Sequence, residues 1–155
     1  GIDMNIYELL RFEEGFRADP YLCSEGYVTV GVGTKLHTDK GLDPNSFCIS
    51  VSKAQADEWV KSKLTTQSFS LSKQPAYAGL SDDRKAIIQS MAYQLGVTGL
   101  FNFKKMWAAL EDAAYDEAAD EMLDSMWAIQ TPERAARHAE VMGWGILENV
   151  YEGLV

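Results

Sequence analysis

A chain of 155 residues, 46% hydrophobic and 24% charged, has the length and composition of one soluble globular domain and not of a disordered chain. Its net charge of -9, from 23 acidic and 14 basic residues, argues against general nucleic-acid binding and removes long-range attraction to anionic polymers. No run approaches the ~18 apolar residues of an integral membrane segment, and the start of the chain lacks the charged, then apolar pattern of a signal peptide.

Gly1 to Asp3 precede Met4 and are left out of the functional reading. Residues Asn5 to Glu14 read as a helix: Ile6, Leu9 and Leu10 share one side and Asn5 can cap it. Gly15 suits the left-handed position just past the end. Ser24-Glu25-Gly26 is a turn, and Tyr27 to Gly33 then alternates. Val28, Val30 and Val32 point one way; Tyr27, Thr29 and Gly31 point the other. That predicts a half-buried strand in a small antiparallel sheet, paired with Pro20 to Cys23 and with a strand beyond Gly33. The polar stretch Thr34 to Ser50, with Gly41 and Pro44, otherwise reads as loop.

From Ser52 the pattern is helical. Ser52 caps a helix through Ala56, Trp59, Val60 and Leu64 to about Leu71, long enough to connect two lobes. Ser81 caps another through Leu95, closed by Gly96. Further helices are expected at Lys104 to Leu110, Tyr115 to Trp127, Pro132 to Met142 with Thr131 as cap, and Trp144 to Tyr151. The order is α+β and mostly helical. Residues 1–155 read as a single domain: a small lobe with the sheet at about 15–51, helical parts at 1–14 and 72–155, and a joining helix at about 52–71. Trp59, Trp107, Trp127 and Trp144 sit at helical spacing and read as core. Cys23 and Cys48 make neither a disulfide framework nor a zinc site and read as reduced thiols. His37 and His138 show no metal-ligand pattern, so neither a metal nor an organic cofactor is expected.

The stretch "RFEEGFRADPYLCSEGYVTVGVG", residues 11–33, holds the chemistry. At ~100° per residue, Glu13 falls near the centre of the apolar stripe and Glu14 at its edge, beside Tyr7. An edge position allows a carboxyl to be partly desolvated and still reach a ligand, as a general acid must. A glutamate near a helix end is more commonly a solvated surface charge, so position alone does not decide.

The sequence "LLRFEEGFRADPYLCSEGYVTVGVGTKL" resembles the active-site region of phage-type lysozymes, the endolysins of glycoside hydrolase family 24. Their pattern is Glu, eight residues, Asp or Cys, five residues, Thr, and Glu14, Cys23 and Thr29 keep that spacing. The resemblance continues in "AYQLGVTGLFNF" at 92–103 and "MWAIQTPERAARH" at 126–138, and is weakest between Thr34 and Ser50. It implies a lysozyme-like fold with an N-terminal β-hairpin lobe, a long connecting helix and a C-terminal helical lobe, with the cleft between the lobes. The implied activity is hydrolysis of the β-1,4 bond between N-acetylmuramic acid and N-acetylglucosamine in peptidoglycan. Glu14 takes the general-acid position, and Thr29 matches the threonine that places the attacking water. Arg134 matches an arginine that supports the glutamate. Tyr93 and Gln94 match an aromatic–Gln pair lining the saccharide cleft, and Lys35 and Met106 stand where other cleft side chains are expected.

Cys23 replaces an aspartate found in many relatives. A thiol at its ordinary pKa of about 8.5 is only a few per cent thiolate at pH 7, so it gives no standing charge. Thr34 stands where many relatives have histidine. The implied mechanism is inverting. The implied life is that of a monomer held in the host cytoplasm and released through a holin to the periplasm and wall, while a lytic domain of a larger particle or a secreted effector stays open. A non-catalytic glycan-binding module is the main alternative. It would need Tyr93 and Gln94, but not Glu14 and Thr29 together.

Overall fold

The computed structural model describes residues 4–155; the helical expectation for residues 1–3 lies outside them. The first helix, α1 (Ile6–Glu14), begins at Asn5. The Asn5 side-chain oxygen accepts from the N–H groups of Tyr7 and Glu8 at 3.0 and 3.1 Å, satisfying two of the donors that a helix start leaves orphaned. The helix ends where the Gly15 N–H bonds back to the Arg11 carbonyl at 2.9 Å.

Three strands follow: β1 (Arg17–Leu22), β2 (Tyr27–Gly31) and β3 (Thr34–Lys40), antiparallel in the order β1-β2-β3. The strand expected beyond Gly33 is β3, and it runs to Lys40 into the stretch otherwise read as loop. β2 also departs from a half-buried strand. Val28, Thr29, Val30 and Gly31 are all buried, because β2 is the central strand and both faces are covered. Alternation marks a strand with one wet face, and this strand has none. Both strand pairings shift register, between Arg17 and Tyr21 on one side of β2 and between Tyr27 and Thr29 on the other. Pro20, which has no N–H to give a ladder, lies within the first irregularity. Residues 44–46 form one 3-10 turn, held by the Asp43 carboxylate accepting from the Asn45 N–H.

The helices are α2 (Lys53–Leu71), α3 (Pro75–Ala78), α4 (Asp82–Phe101), α5 (Lys104–Glu111), α6 (Tyr115–Leu123), α7 (Met126–Gln130), α8 (Pro132–Trp144) and α9 (Leu147–Tyr151). Ser52 caps α2 through the Gln55 N–H, and Ser81 caps α4 through the Arg84 N–H. Gly96, at φ 79° and ψ 157°, breaks α4 where its end was expected, and the chain resumes helix to Phe101. The single helix expected over Tyr115 to Trp127 is two. The Ser125 hydroxyl accepts from the Ala128 N–H and starts α7 afresh. Thr131 does not cap α8: its hydroxyl donates back to the Trp127 carbonyl at 2.9 Å.

The chain forms two compact units. One is Leu10–Lys63; the other is the chain up to Leu9 with Leu64–Val155, so α2 begins in the first and ends in the second. The first is built on Leu10, Val28, Val30, Val32, Ala56 and Val60, all buried. Within it Arg11 meets Asp57 at 3.2 Å; both side chains are over a third exposed, so the pair contributes less than about 1 kcal/mol. The helical unit is built on Ile87, Ile88, Met91, Leu100, Met122 and Met142, each fully buried. No described helix is long and apolar enough to cross a membrane.

Candidate active site

Glu14 is the last residue of α1 and is partly exposed. Its carboxylate lies over the backbone of Gly33: a Cβ at that position would stand 3.1 Å from Glu14 Oε2. Gly33 also has φ +70°, a conformation that side chains resist. The "GVG" glycine therefore makes room for the acid and turns the chain out of β2 at one residue.

Cys23 follows β1 directly, and its N–H donates to the Tyr27 carbonyl at 2.9 Å, closing the hairpin. Thr29 stands opposite Tyr21 on one side and Lys35 on the other, so the three lie across adjacent strands. Thr29 is 2% exposed and its hydroxyl donates to the Tyr27 carbonyl at 2.9 Å. The same hydroxyl reaches the Cys23 sulfur, so its one proton is shared between two acceptors while its oxygen lone pairs stay available. Burial pushes the Cys23 thiol up, but the Tyr27 and Glu25 backbone N–H groups, the Thr29 hydroxyl and the Lys35 ammonium outweigh it together, and the thiol lies below its ordinary range. Cys23 is thus more acidic than the sequence suggested.

Lys35 is half-exposed, 3.5 Å from Glu25 and 4.2 Å above the Tyr27 ring. Tyr21 was not foreseen. Its phenol is pushed up by burial first and then by the Glu14 carboxylate, with Arg17, stacked 4.5 Å over the ring, pulling it down and Cys23 pushing it up. Tyr21 therefore lies within electrostatic reach of both Glu14 and Cys23 and stays a protonated donor. Two residues from Cys23 on a predicted strand, it could have been read as sharing that residue's face.

The remaining predicted residues belong to the helical unit. Tyr93 is 4% exposed, too enclosed to offer a sugar its ring. Gln94 is partly exposed, and its side-chain oxygen accepts from the Trp127 indole N–H at 2.8 Å. Met106 is buried. It lines, with Leu95, Phe103, Ser125 and Trp127, an open pocket of about 570 Å³. Arg134 is 7% exposed, and its guanidinium donates to the Ser90 carbonyl and hydroxyl at 3.3 and 3.0 Å. Of the four tryptophans expected in the core, Trp107 and Trp127 are buried and Trp59 partly so, but Trp144 is 77% exposed. At ~100° per residue Trp144 lies about 120° from His138 at the centre of the buried face of α8, so the helix turns it outward.

A small antiparallel sheet followed by a set of helices, with a carboxylate, a thiol and a threonine gathered at the sheet, is a lysozyme-like α+β fold. Residues 11–139 match the phage lysozyme family, and the chain belongs to it. It is 27% identical to "Probable T4-type lysozyme 1" of Dictyostelium discoideum, across 96% of this chain and 98% of that protein. "Probable T4-type lysozyme 2" of the same organism is also 27% identical, across 93% and 96%. "Pre-baseplate central spike protein Gp5" of Enterobacteria phage T4 is 25% identical across 95% of this chain, which corresponds to 29% of the spike protein.

Proposed function

We propose that this protein is a muramidase that hydrolyses the β-1,4 bond between N-acetylmuramic acid and N-acetylglucosamine in bacterial peptidoglycan, with inversion at the anomeric carbon. The observation that carries the reading is the Glu14 carboxylate seated against Gly33 in the same unit as the Cys23–Thr29–Tyr21 group. Membership of a lysozyme family supports it.

Glu14 protonates the departing glycosidic oxygen as the bond to the anomeric carbon breaks. The transition state is oxocarbenium-like, and water attacks from the opposite face. Thr29, bonded to the Tyr27 carbonyl, accepts a hydrogen bond from that water through an oxygen lone pair and orients it. The Cys23 sulfur helps hold the same water beside Thr29, and the water's proton passes to solvent as the new bond to the anomeric carbon forms. A water held between the thiol and the threonine needs no covalent intermediate. Lys35 serves substrate binding in this unit, and Gln94 serves it in the helical unit, where Arg134 is held on Ser90. The enzyme acts as a monomer and reaches the wall from the host cytoplasm by way of a holin.

The test is release of reducing ends from purified peptidoglycan. Glu14→Gln should lose roughly 10²–10⁴-fold in rate, the contribution of a general acid, while Glu13→Gln stays active. The reverse pattern moves the acid to Glu13. Binding of peptidoglycan without turnover by the wild type would make the chain a glycan-binding module. A glycosyl adduct on Cys23 together with a β-anomeric first product would replace inversion by a covalent route.

A further inference from the structure

On the helical unit, α6 and α8 pack together and leave between them a groove of about 370 Å³ that the proposed hydrolysis does not use. Its floor is small: Ala119 on α6 and Ala136, Ala139 and Gly143 on α8. Leu123 and Trp144 stand on its flanks, 46% and 77% exposed. Asp116, Asp120 and Glu140 complete the lining, and none of the three makes an ion pair among the described residues. Arg84, beside Gly143, is already used. It donates to the Met142 and Gly143 carbonyls at 2.7 and 3.2 Å and stacks 3.6 Å over Tyr115.

We propose that this groove docks a basic amphipathic helix of a partner protein, its apolar side chains against Trp144 and Leu123 and its Lys or Arg residues against Asp116, Asp120 and Glu140. A solvated tryptophan is the most apolar area one residue can present, and isolated aromatics of this kind anchor interfaces. The alanine and glycine floor lets a helix axis come close, toward the ~8 Å end of helix packing. The walls run over residues 116–123 and 136–144. That is about 12 Å at 1.5 Å per residue, the length of a two-turn recognition helix.

Charge selects the class of partner. Three uncompensated carboxylates disfavour anionic lipid and nucleic acid. A second copy of this chain brings its own net charge of -9 and is repelled. A cationic helix gains both apolar burial and complementary charge.

The probe is a labelled 14-residue peptide with leucines at i, i+3, i+4 and i+7 and lysines elsewhere, titrated by fluorescence anisotropy. The wild type should bind it saturably. Asp120→Lys with Glu140→Lys should weaken binding at least tenfold, and Trp144→Ser at least fivefold, with circular dichroism and thermal midpoints reading intact folding. Glu111→Lys with Asp112→Lys makes the same charge change off the groove and should alter binding less than twofold. Equal weakening by both pairs would reduce the effect to bulk charge and overturn the proposal. Binding as tight by a Glu/Leu peptide or by anionic vesicles would overturn it too, as would a dimer in sedimentation that Trp144→Ser dissolves.

Discussion

Cys23 is set by opposing local forces. Desolvation raises its thiol, while two backbone N–H groups, the Thr29 hydroxyl and the Lys35 charge together lower it further. We predict that in a Cys48→Ser background, iodoacetamide alkylates Cys23 with an apparent pKa below that of an ordinary thiol. Lys35→Met should move that midpoint upward, and an unchanged pH profile would separate Lys35 from the thiol. Cys23→Ser should keep substantial activity, because a hydroxyl still holds water, while Thr29→Val should lose more. The sequence makes Glu14, Cys23 and Thr29 legible because one run of sixteen residues carries all three, from the end of α1 to β2. It does not reveal the thiol's acidity, since that depends on Lys35 reaching across from β3 and on which N–H groups the turn points inward. Tyr21 is hidden for the same reason: its tie to Glu14 is spatial.

The hairpin and α1 act as one element through Gly33. Its φ of +70° costs a substituted L-residue roughly 1–2 kcal/mol, and a Cβ would meet the Glu14 carboxylate at 3.1 Å. Gly33→Ala should therefore lower both stability and turnover. Gly41→Ala, with φ +75° and nothing within 4 Å, carries the strain without the contact and should lower stability alone. Equal activity in the two variants, measured on purified peptidoglycan, would refute a role for Gly33 in seating Glu14. At this scale the caps are the readable signals. Asn5, Ser52 and Ser81 each accept from the first turn as their side chains allow. Thr131 fails because its hydroxyl finds the Trp127 carbonyl first. The break before α7 is missed because apolar periodicity continues across Asp124, and only the competing Ser125 cap interrupts it. The strand beyond Gly33 is legible but its length is not, because Thr34 to Lys40 is almost wholly exposed at its far end and lacks apolar alternation.

Two properties belong to the whole molecule. A net charge of -9 gives no attraction to anionic wall polymer, so added salt has repulsion to screen and not capture to weaken. Activity should hold or rise between low and physiological salt; a steep fall over that range would contradict this. The second property is a pH limit set in the helical unit. His138 is fully buried, its ring nitrogens 2.7 Å from the Ser90 hydroxyl and 2.9 Å from the Tyr151 hydroxyl, with the Trp127 ring centre 5.9 Å away. Burial first, then the Arg134 and Arg137 charges, hold the imidazole well below its usual range, so the folded protein keeps it neutral. Above the ordinary histidine value, 6.5, the unfolded chain is neutral there as well and nothing is lost. Below it the unfolded chain takes a proton that the folded chain refuses. Stability then falls by up to about 1.4 kcal/mol for each pH unit until the folded group titrates. Urea unfolding at pH 7, 6 and 5 should show this slope in the wild type. His138→Gln, with an amide in place of the imidazole, removes the titration, so the stability difference between the two proteins should shrink from pH 7 to pH 5. Carboxylates elsewhere titrate in both and cancel in the difference. Parallel curves across that range would mean that the folded protein accepts the proton at His138, and the buried network would not limit its stability in acid.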